Sequence, residues 1–263
     1  MPAKKDVLQH FSAEDSVFID KCLEWVKRVE DTYSYVLTPF VNPHQAKVAQ
    51  NIGRSQKVQV FVSSDYLSSE SVRVIFAPSY YELVLSDFEI DLLEIEYPHK
   101  FHQLKHGQIL GTLLHRLGIE RKVFGDILVT SNRAQVFVDH KFQQFFKDEI
   151  TKIAKVPVRL KEVSWEERLV SDDRSDTKDI LVSSLRLDKL IAAAFHLSRA
   201  LSADLIAKKQ VKVNYEMVDN PSKLIHKDDL MSVRGYGRFK VIGEQGLSKN
   251  GKHKIKIELL SSK

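Results

Sequence analysis

Between residues 186 and 240 the chain gathers cations and small polar groups at spacings suited to holding phosphates. Arg186, Lys189 and Arg199 fall on two short helical patterns, Lys208 and Lys209 follow the second, and Lys212 lies in a strand pattern. Arg234, Arg238 and Lys240 surround a glycine-punctuated turn, SVRGYGRFK. A guanidinium can grip phosphate oxygens through two parallel hydrogen bonds, and an ammonium acts as a mobile point charge. Ser198, Asn214, Gly235 and Gly237 complete the set: two short hydrogen-bonding side chains and two positions where backbone can come close to a ligand. The chemistry on offer is recognition of a polyanion.

The elements that must position these groups follow from periodicity. Leu187, Leu190, Ile191 and Ala194 recur at helical spacing and form one apolar stripe. Arg186 and Lys189 fall off that stripe and are expected to stay free for a partner. Ser198 is a natural N-cap for the next helix. The residue after it, Arg199, places a cation in the first turn, against the helix dipole, which suggests another job for it. Asp188 is placed to orient Arg186 or Arg199, or to cap the helix start. Val211 and Val213 alternate with Lys212 and Asn214, the pattern of a half-buried strand with polar groups outward.

The same run resembles the S-four-type, or alpha-L, RNA-binding domain. The matching residues are Arg186-Leu187-Asp188-Lys189-Leu190, Ser198-Arg199, Leu205-Ile206, Val211-Lys212-Val213-Asn214, and Val233-Arg234-Gly235 with Gly237-Arg238. The sequence departs from that pattern at Lys209 and Tyr215, where glycine is common, and at His226-Lys227, where a glycine usually precedes Asp228. A non-glycine residue in a left-handed turn costs about 1 kcal/mol, so these changes bear on local turns more than on the module.

Charge points the same way. Residues 181–263 carry 16 Lys+Arg and 8 Asp+Glu, a net of +8, whereas residues 1–180 carry 24 and 27, a net of −3. A basic segment joined to a mildly acidic one is the footprint of nucleic-acid binding, although charge alone would also fit a solvated lysine face. The 263 residues, 43% hydrophobic and 29% charged, suit two or three small globular domains. No stretch approaches the ~20 uncharged apolar residues of a membrane helix, and the N-terminus lacks the apolar core of a secretory signal. One cysteine, Cys22, excludes an internal disulfide and fits a reducing cytosol. It shares a helical stripe with Phe18, Trp25 and Val29, so a core role is expected.

The fold class read from these patterns is α+β, with several domains. Residues 1–85 form a helical segment with a β-hairpin: Ser12 to Asp15 resembles a capping box, Pro43 suits the first turn of a second helix, and Gly53 is expected to end it. KVQVFVS and VRVIF read as the two strands. Residues 86–170 follow the order β-α-β-β-α-β, a ferredoxin-like split pattern. There Leu92-Leu93 suggests a bulge, and KFQQFFKDEITKIA reads as the second helix. Phe137 is expected in the core and less so as a stacking platform. Residues 171–179, SDDRSDTKD, read as a flexible linker. The alpha-L module fills residues 180–263.

Taken together, these parts resemble the bacterial YlmH family. Its central segment commonly carries a pattern similar to Leu110-Gly111, Leu117-Gly118-Ile119, Arg121 and Gly125-Asp126-Ile127, while His106-Gly107-Gln108 replaces the family's His-Arg-Asp. The resemblance implies a cytoplasmic protein, encoded near cell-division genes, that acts on the large ribosomal subunit with ribosomal RNA and tRNA during rescue of stalled translation. The expectation is a non-enzymatic RNA binder with no cofactor, no metal and no membrane partner. The alternative is an RNA-modifying enzyme with its chemistry in the central segment. The only Arg-Leu-Asp lies inside the RNA module, no G-x-G-x-x-G loop occurs, and the stretch PHKFHQLKH that holds His99, His102 and His106 contains no Cys or carboxylate to complete a zinc site. Loop residues near His106, Arg121 and Arg133 are the candidate RNA contacts of the central segment.

Overall fold

A computed structural model describes residues 13–170 and 176–260, so the capping box read at Ser12 lies outside the described residues. The first helix, α1 (Ala13–Thr32), buries Ile19, Cys22, Val26 and Val29 along one face, while Phe18 and Trp25 meet edge to face at 5.9 Å. After β1 (Val36–Leu37), Asn42 opens α2 (Pro43–Gln56): its side chain accepts from the Gln45 amide at 2.9 Å and Gln45 reaches back at 3.1 Å. Gly53 does not end this helix. Lys57 does, in the left-handed conformation (φ 58°), and Gly53 is instead a place of close approach. A Cβ there would stand 2.1 Å from Cγ2 of Val60 on β2 (Gln59–Val62). With β3 (Val74–Ala77) the strands form an antiparallel sheet in the order β1-β3-β2.

The next region runs β4 (Ile90–Glu96), α3 (His106–Gly111, prolonged by a π turn to Arg116), β5 (Phe124–Val129), β6 (Ala134–Asp139), α4 (Gln143–Glu149), the short pair β7 (Lys152–Ile153) and β8 (Val156–Pro157), and β9 (Arg159–Val163). Its four-stranded sheet is antiparallel in the order β5-β6-β4-β9, so the third strand lies between the first and second. The bulge expected at Leu92-Leu93 is absent: β4 pairs in unbroken register with both neighbours. Leu92 and Leu93 point to opposite faces, and both faces are covered. Leu92 packs with Phe40, Ile75, Phe88 and Phe137, and Leu93 with Ile109, Leu113 and Phe146. The register shift falls in β5, between Phe124 and Ile127. The second helix is also shorter than expected. Past Glu149, Ile150 leaves helical geometry and Ala154 turns left-handed (φ 52°), so Ile153 and Val156 reach the core from strands, where β-branched side chains pack well.

The N-terminal and central regions share a core and form one compact unit, Met1–Asp172. Arg73, 3% exposed, is buried within it and donates to the carbonyls of Thr38 and Glu89 at 2.9 Å while pairing with Asp139 at 3.2 Å. The second unit, Asp173–Lys263, holds β10 (Asp176–Val182), α5 (Leu187–Phe195), α6 (Arg199–Ala207), β11 (Val211–Val213), β12 (Glu216–Met217), β13 (Leu230–Val233), β14 (Gly237–Leu247) and β15 (His253–Leu260). Its sheet is antiparallel in the order β10-β15-β14-β13-β11-β12. The linker expected at 171–179 needs correction for residues 176–179, which pair with β15 in continuous register; residues 171–175 lie outside the described residues. The composition is linker-like because β10 is an edge strand, and only its Ile180 and Val182 reach the core.

Leu187, Leu190, Ile191 and Ala194 meet alternate strand residues such as Val211, Val213, Met231, Val233 and Phe239. The sheet therefore turns one face to the helices. The other face carries the intervening residues.

Candidate nucleic-acid interface

The basic residues of the second unit separate into two groups, each built on a different device. The first is organised by Asp188, in the opening turn of α5, where a carboxylate complements the helix dipole. Its side chain is 2% exposed yet receives four donors. Arg186 Nε reaches Oδ1 and Nη2 reaches Oδ2, both at 3.0 Å; Arg199 Nε reaches Oδ2 at 2.9 Å; the Lys189 amide donates to Oδ1 at 3.0 Å. Burial pushes this carboxyl up, but the hydrogen bonds and charges of Arg186 and Arg199 outweigh it, so its pKa lies below the ordinary value. Arg199 spends its dipole-opposed position on tying the start of α6 to α5. Ser198 caps α6 by accepting from the Leu201 amide at 3.1 Å.

Arg186 and Lys189 are therefore not free in the sense first expected. Arg186 is paired with Asp188, and Lys189 Nζ donates to Ser183 Oγ at 2.9 Å. Arg199 keeps a 62% exposed side chain despite its bond, so Asp188 presents the guanidinium in a fixed orientation without hiding it.

The second group lines a groove of about 650 Å³ on the sheet face turned away from the helices. Register explains the grouping: Met217, Lys212, Ser232 and Arg238 stand opposite one another across β12, β11, β13 and β14. Cross-strand neighbours on one face lie about 5 Å apart, so these side chains form a continuous row. The turn from Arg234 to Gly237 closes one end, and the Arg234 amide donates to the Gln210 carbonyl at 2.9 Å, fastening that turn to the Lys209-Gln210 corner. Gly235 (φ 82°) and Gly237 (φ 120°) take backbone conformations that L-residues rarely adopt.

Other residues of this unit hold partners or turn conformations within it. Asn214 (φ 51°) and Tyr215 (φ 73°) are the two left-handed residues of the β11–β12 hairpin. The Asn214 side chain clasps Asp229 at 2.7 Å and accepts from the Leu230 amide at 2.9 Å, a local fastening. Lys208 pairs with Asp204 one turn back at 2.7 Å, and Lys240 pairs with Asp228 at 3.1 Å. Lys209 is left-handed too (φ 55°), as its replacement of a glycine implies.

In the other unit, two of the candidate contacts are committed internally. Arg133 forms a bidentate pair with Glu94 at 3.0 and 2.9 Å. Arg121 donates to the Phe124 carbonyl and to Ser71 Oγ (2.7 Å), with its guanidinium 4.6 Å from the Phe124 ring centre. Asp126 accepts from the amides of Glu70 and Ser71 at 2.7 and 2.8 Å. The Arg121 and Gly125-Asp126 pattern therefore stitches the central sheet to the preceding loop. Among the described residues no group of three or more His, Cys, Asp or Glu is placed to hold a metal, and no single helix is long and apolar enough to cross a membrane.

Sequence reasoning did not single out Gln210, Met217, Ser232 or Tyr236, whose side chains differ from the cations and glycines it expected in the groove. Tyr236, standing between two glycines in a basic turn, was the one with a legible signal. The others enter only through cross-strand register.

Comparison with known proteins covers most of the chain. Residues 14–81 match the family model described as "YlmH, N-terminal", residues 84–167 that described as "Putative RNA-binding domain in YlmH", and residues 185–230 the S4 domain. The chain is 31% identical over 253 residues to the ribosome-associated protein quality control protein P2 of Bacillus subtilis (strain 168), covering 96% of this chain and 98% of that protein. Among solved structures it resembles the cell division protein ylmH from Streptococcus pneumoniae, with 47% identity and a TM-score of 0.56, over 62% of this chain and 98% of that one. The chain belongs to the YlmH family, and its second unit contains an S4 domain.

Proposed function

We propose that this YlmH-family protein is a non-enzymatic binder of structured RNA that acts on the ribosome, holding ribosomal RNA and tRNA on the large subunit during translation or its rescue. The observation that carries the reading is the groove rimmed by Lys209, Lys212, Arg234 and Arg238 on an S4 domain. Cations on neighbouring strands neutralise successive phosphates and release their counterions on binding. The net +8 of residues 181–263 adds long-range attraction. The name of the Bacillus subtilis relative, a ribosome-associated quality control protein, supports the ribosome as the partner and, with it, a cytoplasmic location. The acidic first unit positions the second and adds no broad electrostatic pull of its own.

The test is cosedimentation of the full chain with separated ribosomal subunits over a range of salt, followed by mass spectrometry of the RNA. Stable, salt-sensitive association with the large subunit and unmodified nucleotides is the expected result. Exclusive binding to the small subunit refutes the placement. A nucleotide whose modification depends on residues 84–167 refutes the non-enzymatic reading.

A further inference from the structure

The groove has a wall and a floor that phosphates do not require. Tyr236 stands at its end between Gly235 and Gly237, 42% exposed, with its ring 6.0 Å from that of Phe195. Phe195 in turn meets the buried Phe239 edge-on at 5.5 Å. An exposed tyrosine ordinarily samples several rotamers; this one is buttressed by a chain of rings leading into the core. Met217 brings a polarizable thioether to the groove, a group that packs well on aromatic faces. Gln210 and Ser232 bring an amide and a hydroxyl, each able to donate and accept. Above the turn the space is open, since a Cβ on Gly235 would meet nothing within 4 Å and one on Gly237 only Phe195 at 3.8 Å.

A duplex backbone asks only for cations on a shallow surface. A recess of about 650 Å³ with an aromatic wall, a soft apolar patch and neutral hydrogen-bonding groups, all rimmed by cations, fits a base still attached to its phosphates. That size lies within the few hundred to ~1,000 Å³ of sites that enclose small molecules. We infer that the groove takes one unpaired, extruded nucleotide of a structured RNA. Its base lies against Tyr236 and Met217, and its flanking phosphates rest on Lys212 and Arg234. The inference rests on the RNA-binding reading above and narrows it from structured RNA in general to RNA with a bulged or flipped nucleotide. Stacking tolerates any base, so extrusion is what the groove selects. The unpairing cost is small where a base is already unpaired.

The test titrates the full chain with a short RNA hairpin carrying one unpaired adenosine and with its fully paired counterpart, each at several salt concentrations. The bulged RNA should bind about tenfold more tightly. Tyr236→Ala should abolish that preference without changing the salt dependence, and Tyr236→Phe should keep it, because the ring and not the hydroxyl stacks. Equal, salt-sensitive affinity of the wild type for both RNAs overturns the inference and leaves RNA binding standing. So does a preference undiminished in a folded Tyr236→Ala chain or lost in Tyr236→Phe. Weak, salt-insensitive binding of both RNAs overturns the underlying reading instead. The wild-type comparison decides by itself should Tyr236→Ala fail to fold.

Discussion

Replacing Asp188 by Asn separates the charge of this residue from its shape. The carboxylate takes four donors on two oxygens: Arg186 Nε and the Lys189 amide on Oδ1, Arg186 Nη2 and Arg199 Nε on Oδ2. Asn has one acceptor oxygen, and whichever way its amide turns, the NH2 faces two donors. Two hydrogen bonds disappear and two N–H groups are set against N–H groups. Arg199 can return to water, since it is 62% exposed, which limits the damage. The loss should be about 2 kcal/mol for a buried acceptor of charged donors. The sign with pH follows from the depressed pKa of Asp188. Its contribution is present above the unfolded carboxylate value near 3.9 and is lost as pH falls through the lower folded value. The gap between wild type and variant should therefore hold steady from neutral pH to about 5 and close below about 4. Both tryptophans, Trp25 and Trp165, lie in the first unit, so their fluorescence is blind to this change. Amide exchange at Leu190, Ile191 and Val211 in a urea series reads the second unit directly. A variant within about 0.5 kcal/mol of wild type at neutral pH, or a gap that does not close in acid, would refute the reasoning.

Changing Arg199 and Arg234 together to Ala should weaken RNA binding by about tenfold or more and flatten the salt dependence by roughly one to two counterions; a folded double variant with unchanged affinity and slope removes both residues from the interface. Gly125→Ala should destabilise the first unit by about 1–3 kcal/mol, because its Cβ would stand 2.8 Å from Phe40 and 3.0 Å from the Cβ of Phe137, an atom that cannot swing away. Urea unfolding followed by Trp165 fluorescence measures that loss, and an unchanged midpoint contradicts it. The Cys22 thiol, 0% exposed and pushed up to about 12 by burial, should resist thiol reagents at mildly alkaline pH until the chain unfolds; rapid labelling of the native protein would show the opposite.

Local signals survived folding well. The stripe of Leu187, Leu190, Ile191 and Ala194, the Ser198 cap and the Lys212 alternation are set by neighbours in the chain, and all reappear in the structure. So do the left-handed turns at Lys209 and Tyr215, because a residue standing in for glycine marks where glycine's conformation is needed. The order of apolar segments likewise marked an α+β chain, and the resemblance of its basic C-terminal run to the alpha-L domain identified the module there, which charge alone had left open. What the sequence could not hold is anything decided by which strand lies beside which. Leu92 and Leu93 read as a bulge only while the second face of their sheet was unknown. Residues 176–179 read as a linker because their pairing partner lies some 80 residues further on, in β15. Arg186 and Arg199, two and eleven residues from the same carboxylate, became one cluster only when α5 and α6 were brought together over Asp188. The groove is the clearest case: Met217, Lys212, Ser232 and Arg238 come from four strands, and only their register puts them on one face. Spacing along a chain determines the local turn and the side a residue faces; what stands opposite it is settled by pairing across the sheet.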